Sequence, residues 1–155
     1  MTAAEPSSIP LARLLAMAFR EMIDGLHERL AADGWSDVRP RYGYVLLAVA
    51  DEPRTVAEVA ALMGTTKQAA SKLVEEMEEA RYVRRGPHHG DARAKLVAIT
   101  PRGKKLLAAV VGIYAELEAE WGEILGPDQV ERLRTDLERV ISAGHDGGLP
   151  DVRPT

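Results

Sequence analysis

Residues 55–100 read TVAEVAALMGTTKQAASKLVEEMEEARYVRRGPHHGDARAKLVAIT, and this stretch decides the fold. Thr55 stands three residues before Glu58, the spacing of a capping box, and the apolar run Val59, Ala60, Leu62, Met63 follows at once. Gly64 then interrupts the pattern where a turn requires a positive φ. Thr65 and Gln68 repeat the cap-and-third-residue spacing, which predicts a second helix capped by Thr65. Each such cap contributes about 1 kcal/mol. Two helix starts hinged on a glycine predict a helix-turn-helix.

The second helix sorts its residues by face. Ala70, Leu73, Val74 and Met77 recur at spacings of three and four and are expected to face inward. Outside lie Thr66, Lys67, Gln68, Ser71 and Lys72 in the first two turns, then Glu75, Glu76, Glu78 and Glu79. The first group carries donors and acceptors suited to base edges and phosphates, while the second would be repelled by a phosphate backbone. The helix is therefore expected to enter a DNA groove by its N-terminal end, where its dipole also favours phosphate.

Beyond Arg81, the residues Tyr82-Val83-Arg84-Arg85 read as a strand, Gly86 to Asp91 as a turn cluster, and Lys95 to Ile99 as an alternating return strand. Arg84, Arg85, Arg93 and Lys95 place four cations on this hairpin. An arginine at a hairpin tip suits the negative potential of a narrow minor groove. Asp91, two residues before Arg93, is positioned to pair with it and fix its direction. A helix-turn-helix followed by a basic hairpin is a winged helix-turn-helix, so the fold class expected is mainly α with a small β-hairpin wing.

From Thr55 to Leu107, and above all in QAASKLVEEMEEARYVRR (68–85) and HGDARAKLVAITPRG (89–103), the sequence resembles the MarR (multiple antibiotic resistance regulator) family of transcription factors. The resemblance implies that Arg93 is the wing arginine, Asp91 its partner, and that Thr65, Thr66, Lys67, Gln68, Ser71 and Lys72 belong to the DNA-reading surface. One departure stands out: where the family usually has glycine just after the recognition helix, this chain has Arg81. A left-handed conformation there would cost an arginine about 1 kcal/mol, and the alternative is that Arg81 is retained for a phosphate contact.

A net charge of −4 looks ill-suited to a nucleic-acid partner until it is divided along the chain. Residues 64–105 carry 10 Lys/Arg against 5 Asp/Glu, whereas residues 1–63 carry 6 against 9 and residues 106–155 carry 4 against 10. The basic block coincides with the reading head, a polarity that steers one face towards DNA. Cysteine is absent, which excludes disulfides, thiol-based sensing and Cys-ligated metals. Neither a signal peptide nor an apolar run long enough for a bilayer is evident, so cytoplasmic residence without a membrane partner is expected.

Flanking helices complete the organisation. Thr100 caps and Pro101 opens a helix carrying Leu106, Val110, Ile113, Leu117, Trp121 and Ile124. Gly126-Pro127 starts another with Val130, Leu133, Leu137 and Val140, and Leu11, Leu15, Ala18, Met22 and Leu26 form a stripe near the N-terminus. A short apolar helix, Arg41 to Ala50, is expected beneath the helix-turn-helix. These faces exceed what one small head covers, and we expect them to interleave across a two-fold axis. The division expected is an N-terminal dimerisation helix (1–34), a winged helix-turn-helix (36–100), C-terminal dimerisation helices (101–144) and a flexible tail (145–155), within one structural domain.

An enzyme needs a nucleophile, a base or a metal constellation. The four histidines, His27, His88, His89 and His145, do not form one, and neither a phosphate-binding Gly-rich loop nor a nucleophile elbow occurs. No cofactor and no metal is expected. By resemblance, small aromatic or lipophilic effectors bind where the dimer helices meet the head. The candidates here are Arg13, Arg20, His27, Trp35, Tyr42 and Tyr44, which combine cations with aromatic walls. Arg39 and Arg41, just before the short helix, are placed for the DNA backbone. The function expected is a homodimeric, operator-binding regulator, a repressor released by such an effector. The alternatives are a winged-helix module for protein contact and a small-molecule-binding protein without DNA affinity.

Overall fold

The computed structural model describes residues 8–88 and 91–151, with backbone alone for His88 and residues 91–94. Among the described residues, six helices and a small sheet follow in the order α1 (Leu11–Ala32), α2 (Tyr42–Val49), β1 (Arg54–Thr55), α3 (Val56–Met63), α4 (Lys67–Glu79), β2 (Val83–His88), β3 (Asp91–Ile99), α5 (Pro101–Leu125) and α6 (Pro127–Ala143). The fold is thus a mainly helical winged helix-turn-helix with α3 and α4 as its helix pair.

Local signals set most of these boundaries. The Thr55 hydroxyl accepts from the Glu58 amide while the Glu58 carboxylate accepts from the Thr55 amide, a complete capping box at the start of α3. Gly64 ends that helix at φ 64°, the left-handed region only glycine enters without cost. The next cap is Thr66 rather than Thr65: its hydroxyl accepts from the Ala69 amide. The correction has a simple cause. The Thr65 amide is still bonded to the Ala60 carbonyl as part of the turn leaving α3, so the chain reaches the extended conformation a cap needs one residue later. Thr100 caps α5 through the Gly103 amide, with Pro101 in the first turn, and Gly126-Pro127 opens α6.

The wing is longer than the sequence indicated. The strand begins at Val83, because Tyr82 is fully buried at the corner before it, and pairing continues through Gly86 opposite Leu96 and Pro87 opposite Lys95. A register shift follows between Pro87 and His88. In the strand order β1-β3-β2, Pro87 sits on an outer strand, where its missing N–H interrupts no inner ladder. The two-residue β1, which no sequence pattern announced, pairs Arg54 with Val97 and Thr55 with Leu96. Arg54 also donates from Nε to the Ala48 carbonyl at 2.7 Å, tying this strand to α2.

One apolar core joins the head to the terminal helices. Val45, Leu46 and Val49 of α2 meet Val59 and Met63 of α3, Val74 and Met77 of α4, Val83 and Val97 of the sheet, and Leu106, Ile113 and Leu117 of α5. A fully buried side chain of this size contributes about 1.5–3 kcal/mol. From α1 only Leu26 and Leu30 reach full burial, and α6 buries no residue. Ile124, Val140 and Leu11 remain 81, 73 and 70 % exposed.

Arg81 adopts φ 66°, so the recognition helix ends as it would with the family's glycine. The Arg81 amide bonds the Glu78 carbonyl and the Tyr82 amide reaches back to Met77, a five-residue span that closes the helix end. An arginine in this conformation stores about 1–2 kcal/mol of strain. Arg81→Gly should therefore raise the stability by about 1 kcal/mol, net of glycine's greater entropy when unfolded. The check is a higher urea midpoint with an unchanged slope; an unchanged or lower midpoint would show that the arginine side chain offsets the strain.

Candidate nucleic-acid interface

The N-terminal half of α4 presents its polar side chains to solvent. Thr66, Lys67, Gln68, Ala69, Ser71, Lys72 and Glu75 line a shallow open depression on this surface. Lys67, Gln68 and Lys72 are exposed, while Ala70, Val74 and Met77 on the opposite face are buried. The residues predicted to read DNA are therefore brought together on one face. Thr65 is the exception, turned towards a different cavity. Thr66 serves its cap first, with its hydroxyl committed to the Ala69 amide.

The acidic second half of α4 has been tied down by arginines. Arg85 packs its side chain onto the helix, donating to the Ser71 carbonyl at 3.3 Å with Glu75 at 3.7 Å, and its own backbone amide donates to Glu78 at 3.0 Å. Only 20 % of the Arg85 side chain is exposed, and it braces the wing against the recognition helix. Arg39 pairs with Glu76 at 3.1 Å. Such contacts are worth little as isolated surface pairs, about 0–1 kcal/mol. Their effect is electrostatic: carboxylates that would repel phosphates lie beside cations.

On the wing, Arg84 and Lys95 are exposed on neighbouring strands. Asp91 and Arg93 belong to β3, but their side chains lie outside the described residues, as do His89 and Gly90.

The predicted effector residues divide. Arg20 and Tyr44 border a cavity of about 850 Å³ between α1, the segment before α2, and the helix-turn-helix. Phe19 and Ile23 of α1, Met63 of α3, and Thr65 of the turn share it, with Arg39, Arg41, Lys72 and Glu76. Four cations and one carboxylate thus surround a partly apolar hollow. The positions Arg39 and Arg41, assigned to the DNA backbone on sequence grounds, stand on its rim. Trp35 and Tyr42 lie elsewhere, in an aromatic cluster whose rings sit 6.2 and 5.9 Å from that of Tyr82. His27 is half-buried against the backbone of Val38, and burial, outweighing the nearby Asp24, lowers its pKa. Arg13 stands exposed on the first turn of α1.

Sequence reasoning missed Arg102. It lies in the first turn of α5, and its guanidinium is 4.7 Å from the Tyr82 ring centre and 5.2 Å from that of Trp35. Only its place beside Thr100-Pro101 marked it, because its partners come from two separate parts of the chain, the α1–α2 segment and the end of α4. No cluster of three or more metal-ligating side chains occurs among the described residues, and no helix there is long and apolar enough to cross a membrane.

Comparison with known proteins accords with this geometry. A family model described as the MarR family matches residues 36–94. Transcriptional regulator HosA of Escherichia coli O111:H- is 33 % identical over 94 residues, spanning 59 % of this chain and 68 % of that protein. Among solved structures, the reduced form of MarR from E. coli is similar with a TM-score of 0.76 at 23 % identity, over 88 % of this chain and 99 % of that one. A point mutant of S. aureus MepR bound to an oligodeoxyribonucleotide has a TM-score of 0.63 at 22 % identity, over the same shares of 88 and 99 %. The two structures share the winged-helix fold with this chain, and the family match together with the identity to HosA makes the chain a member of the MarR family of transcriptional regulators.

Proposed function

We propose that the protein binds a pseudo-palindromic DNA operator as a homodimer and represses transcription by occluding it. The observation that carries this reading is the exposed face of α4, where Lys67, Gln68, Ser71 and Lys72 stand together at the helix N-terminus. That end presents a positive dipole and donors to a major groove, with the exposed wing cations Arg84 and Lys95 for the flanking backbone, and Arg93 of the same hairpin is assigned to the minor groove from the sequence. A DNA partner also places the protein in the cytoplasm.

Dimerisation is supported by the apolar side chains that one protomer leaves in water. Ile124, Val140 and Leu11 lie on the terminal helices, and α6 as a whole buries nothing within the chain. Residues 1–34 and 101–144 then serve as the dimerisation helices around the head at 36–100, and 145–155 as the tail. A two-fold axis through them would set two recognition helices about 34 Å apart, one turn of DNA.

The cavity beside Arg20 and Tyr44 supplies the regulatory site. Its volume of about 850 Å³ accommodates a small aromatic or lipophilic molecule, and its four cations favour an anionic one. Because Ala69 and Lys72 line both this hollow and the reading face, a bound effector would draw the head away from operator spacing.

The test is a titration of the purified protein against genome-selected DNA, in a salt series with random DNA as competitor. Nanomolar, selective binding that falls steeply with salt is expected; equal affinity for random DNA would sink the regulator mechanism and favour a protein-contact role for the head. In the same assay Gln68→Ala should relax base preference at one position of each half-site, by about 1–3 kcal/mol, without a uniform loss on all sequences. A uniform loss would reassign Gln68 to the backbone. Ile124→Glu should shift sedimentation equilibrium towards the monomer and weaken operator binding. Since Ile124 is 81 % exposed within the protomer, an unchanged association state would place the dimer contact elsewhere.

A further inference from the structure

The recognition helix must be held at one end to be aimed at the other. Its exit leaves three successive carbonyls to be satisfied, those of Ala80, Arg81 and Tyr82, and the start of α5 receives all three. Arg102 Nε donates to the Ala80 carbonyl at 3.1 Å, and the Thr100 hydroxyl donates to that of Arg81 at 2.6 Å. The Thr100 amide donates to that of Tyr82 at 3.1 Å. Thr100 does this as an ordinary helix cap. Arg102 reaches further, donating to the Tyr82 hydroxyl at 3.2 Å and lying 3.7 Å from Asp37. The Tyr82 hydroxyl in turn donates to Asp37 at 2.6 Å. The guanidinium meanwhile faces the rings of Tyr82 and Trp35.

Trp35 and Asp37 belong to the segment between α1 and α2. One side chain thus ties three parts together: the α1–α2 segment, the end of the recognition helix and the start of a terminal helix. Arginine suits this place because a planar guanidinium can stack and donate at the same time, whereas an ammonium group cannot. Burial and the Asp37 hydrogen bond push the Tyr82 hydroxyl up to about 12, so it remains a donor throughout the physiological range.

The lever is long. Thirteen residues of α4 span about 20 Å, with the joint at one end and Lys67, Gln68 and Ser71 at the other. A tilt of about 10° at the joint therefore moves the reading end by about 3 Å, the full length of a hydrogen bond.

We propose that Arg102 is a positioning residue for DNA recognition, fixing the tilt of α4 against α5 through its stacked and hydrogen-bonded seat between Trp35, Tyr82, Asp37 and the Ala80 carbonyl. The proposal rests on the DNA-reading role of α4 and adds the element that aims it. Arg102 is engaged at the far end of the helix from the reading groups, so it acts through α4 and makes no phosphate contact of its own.

The experiment compares wild type, Arg102→Ala and Arg102→Lys by operator titration across a salt series. Both variants should bind about tenfold more weakly with the salt slope unchanged, and lysine should not rescue. Rescue by lysine, together with a slope reduced by about one in the alanine variant, would make Arg102 a phosphate contact and overturn the proposal. So would an unchanged affinity. A second readout needs no DNA. The chain has no cysteine, so spin labels at Lys67→Cys and Lys105→Cys, in labelled protein diluted with unlabelled, report the α4–α5 distance cleanly. A narrow distribution in wild type that broadens in both Arg102 variants is expected, and equal widths would overturn the proposal even if the operator affinity had fallen. Loss of selective binding by wild type itself would instead remove the DNA-reading role, leaving the distance distributions to decide whether Arg102 holds the helix. Urea midpoints verify that both variants fold, and the lysine variant carries the comparison should the alanine variant unfold.

Discussion

A helix that ends inside a corner must give its last carbonyls to a partner, and in this protein the reading head depends on how that is done. The Tyr82 carbonyl is partly buried and those of Ala80 and Arg81 are more exposed, and donors at the start of α5 meet all three, which ties the end of α4 to the point where α5 begins. Gly103 shows how tight the fit is: a Cβ at that position would lie 2.2 Å from the Tyr82 carbonyl oxygen. The left-handed Arg81 is the turn that brings these groups together. The strain it carries is tolerated because hydrogen bonds on both sides hold the backbone in place.

Electrostatics follows the same geometry. The recognition helix is polarised along its length, with Lys67 and Lys72 towards its start and Glu75, Glu76, Glu78 and Glu79 beyond them. Alone, the acidic half would disfavour any approach to DNA. Arg85 from the wing and Arg39 from the segment before α2 lie against it, which confines the repulsion without adding cations to the reading face. The surrounding structure has therefore made the helix one-ended.

Most of the fold was legible because its signals are local. The Thr55–Glu58 box, Gly64, Thr100-Pro101 and Gly126-Pro127 each act on the backbone within one turn, and each marks a boundary in the structure. What was not legible depends mostly on groups outside the local pattern. Thr65 and Thr66 are equally good caps chemically, and the turn leaving α3 chooses between them. The strand β1 exists only because β3 runs beside it. The seat of Arg85 depends on α4 packed under it, and those of Trp35 and Tyr42 on the Tyr82 ring, none of which is near in sequence. For the candidate site, the spacing of polar and apolar residues in α4 was enough to group Lys67, Gln68 and Lys72 on one exposed face. The seat of Arg102 could not be inferred, since its contacts lie between 20 and 67 residues away along the chain.

The outer edge of β2 has a consequence for how the molecule behaves among its own copies. An unpaired strand edge invites a second strand to add to it, and a small hairpin projecting from a protein is especially open to that kind of zippering. Here Pro87 withholds an N–H from the edge, the register shift after it bends the strand, and exposed Arg84 places charge beside it. On the other side of the sheet, β1 is only two residues long, too short to template a ladder. These features make the outer edge of β2 a poor template for strand addition from another copy of the chain.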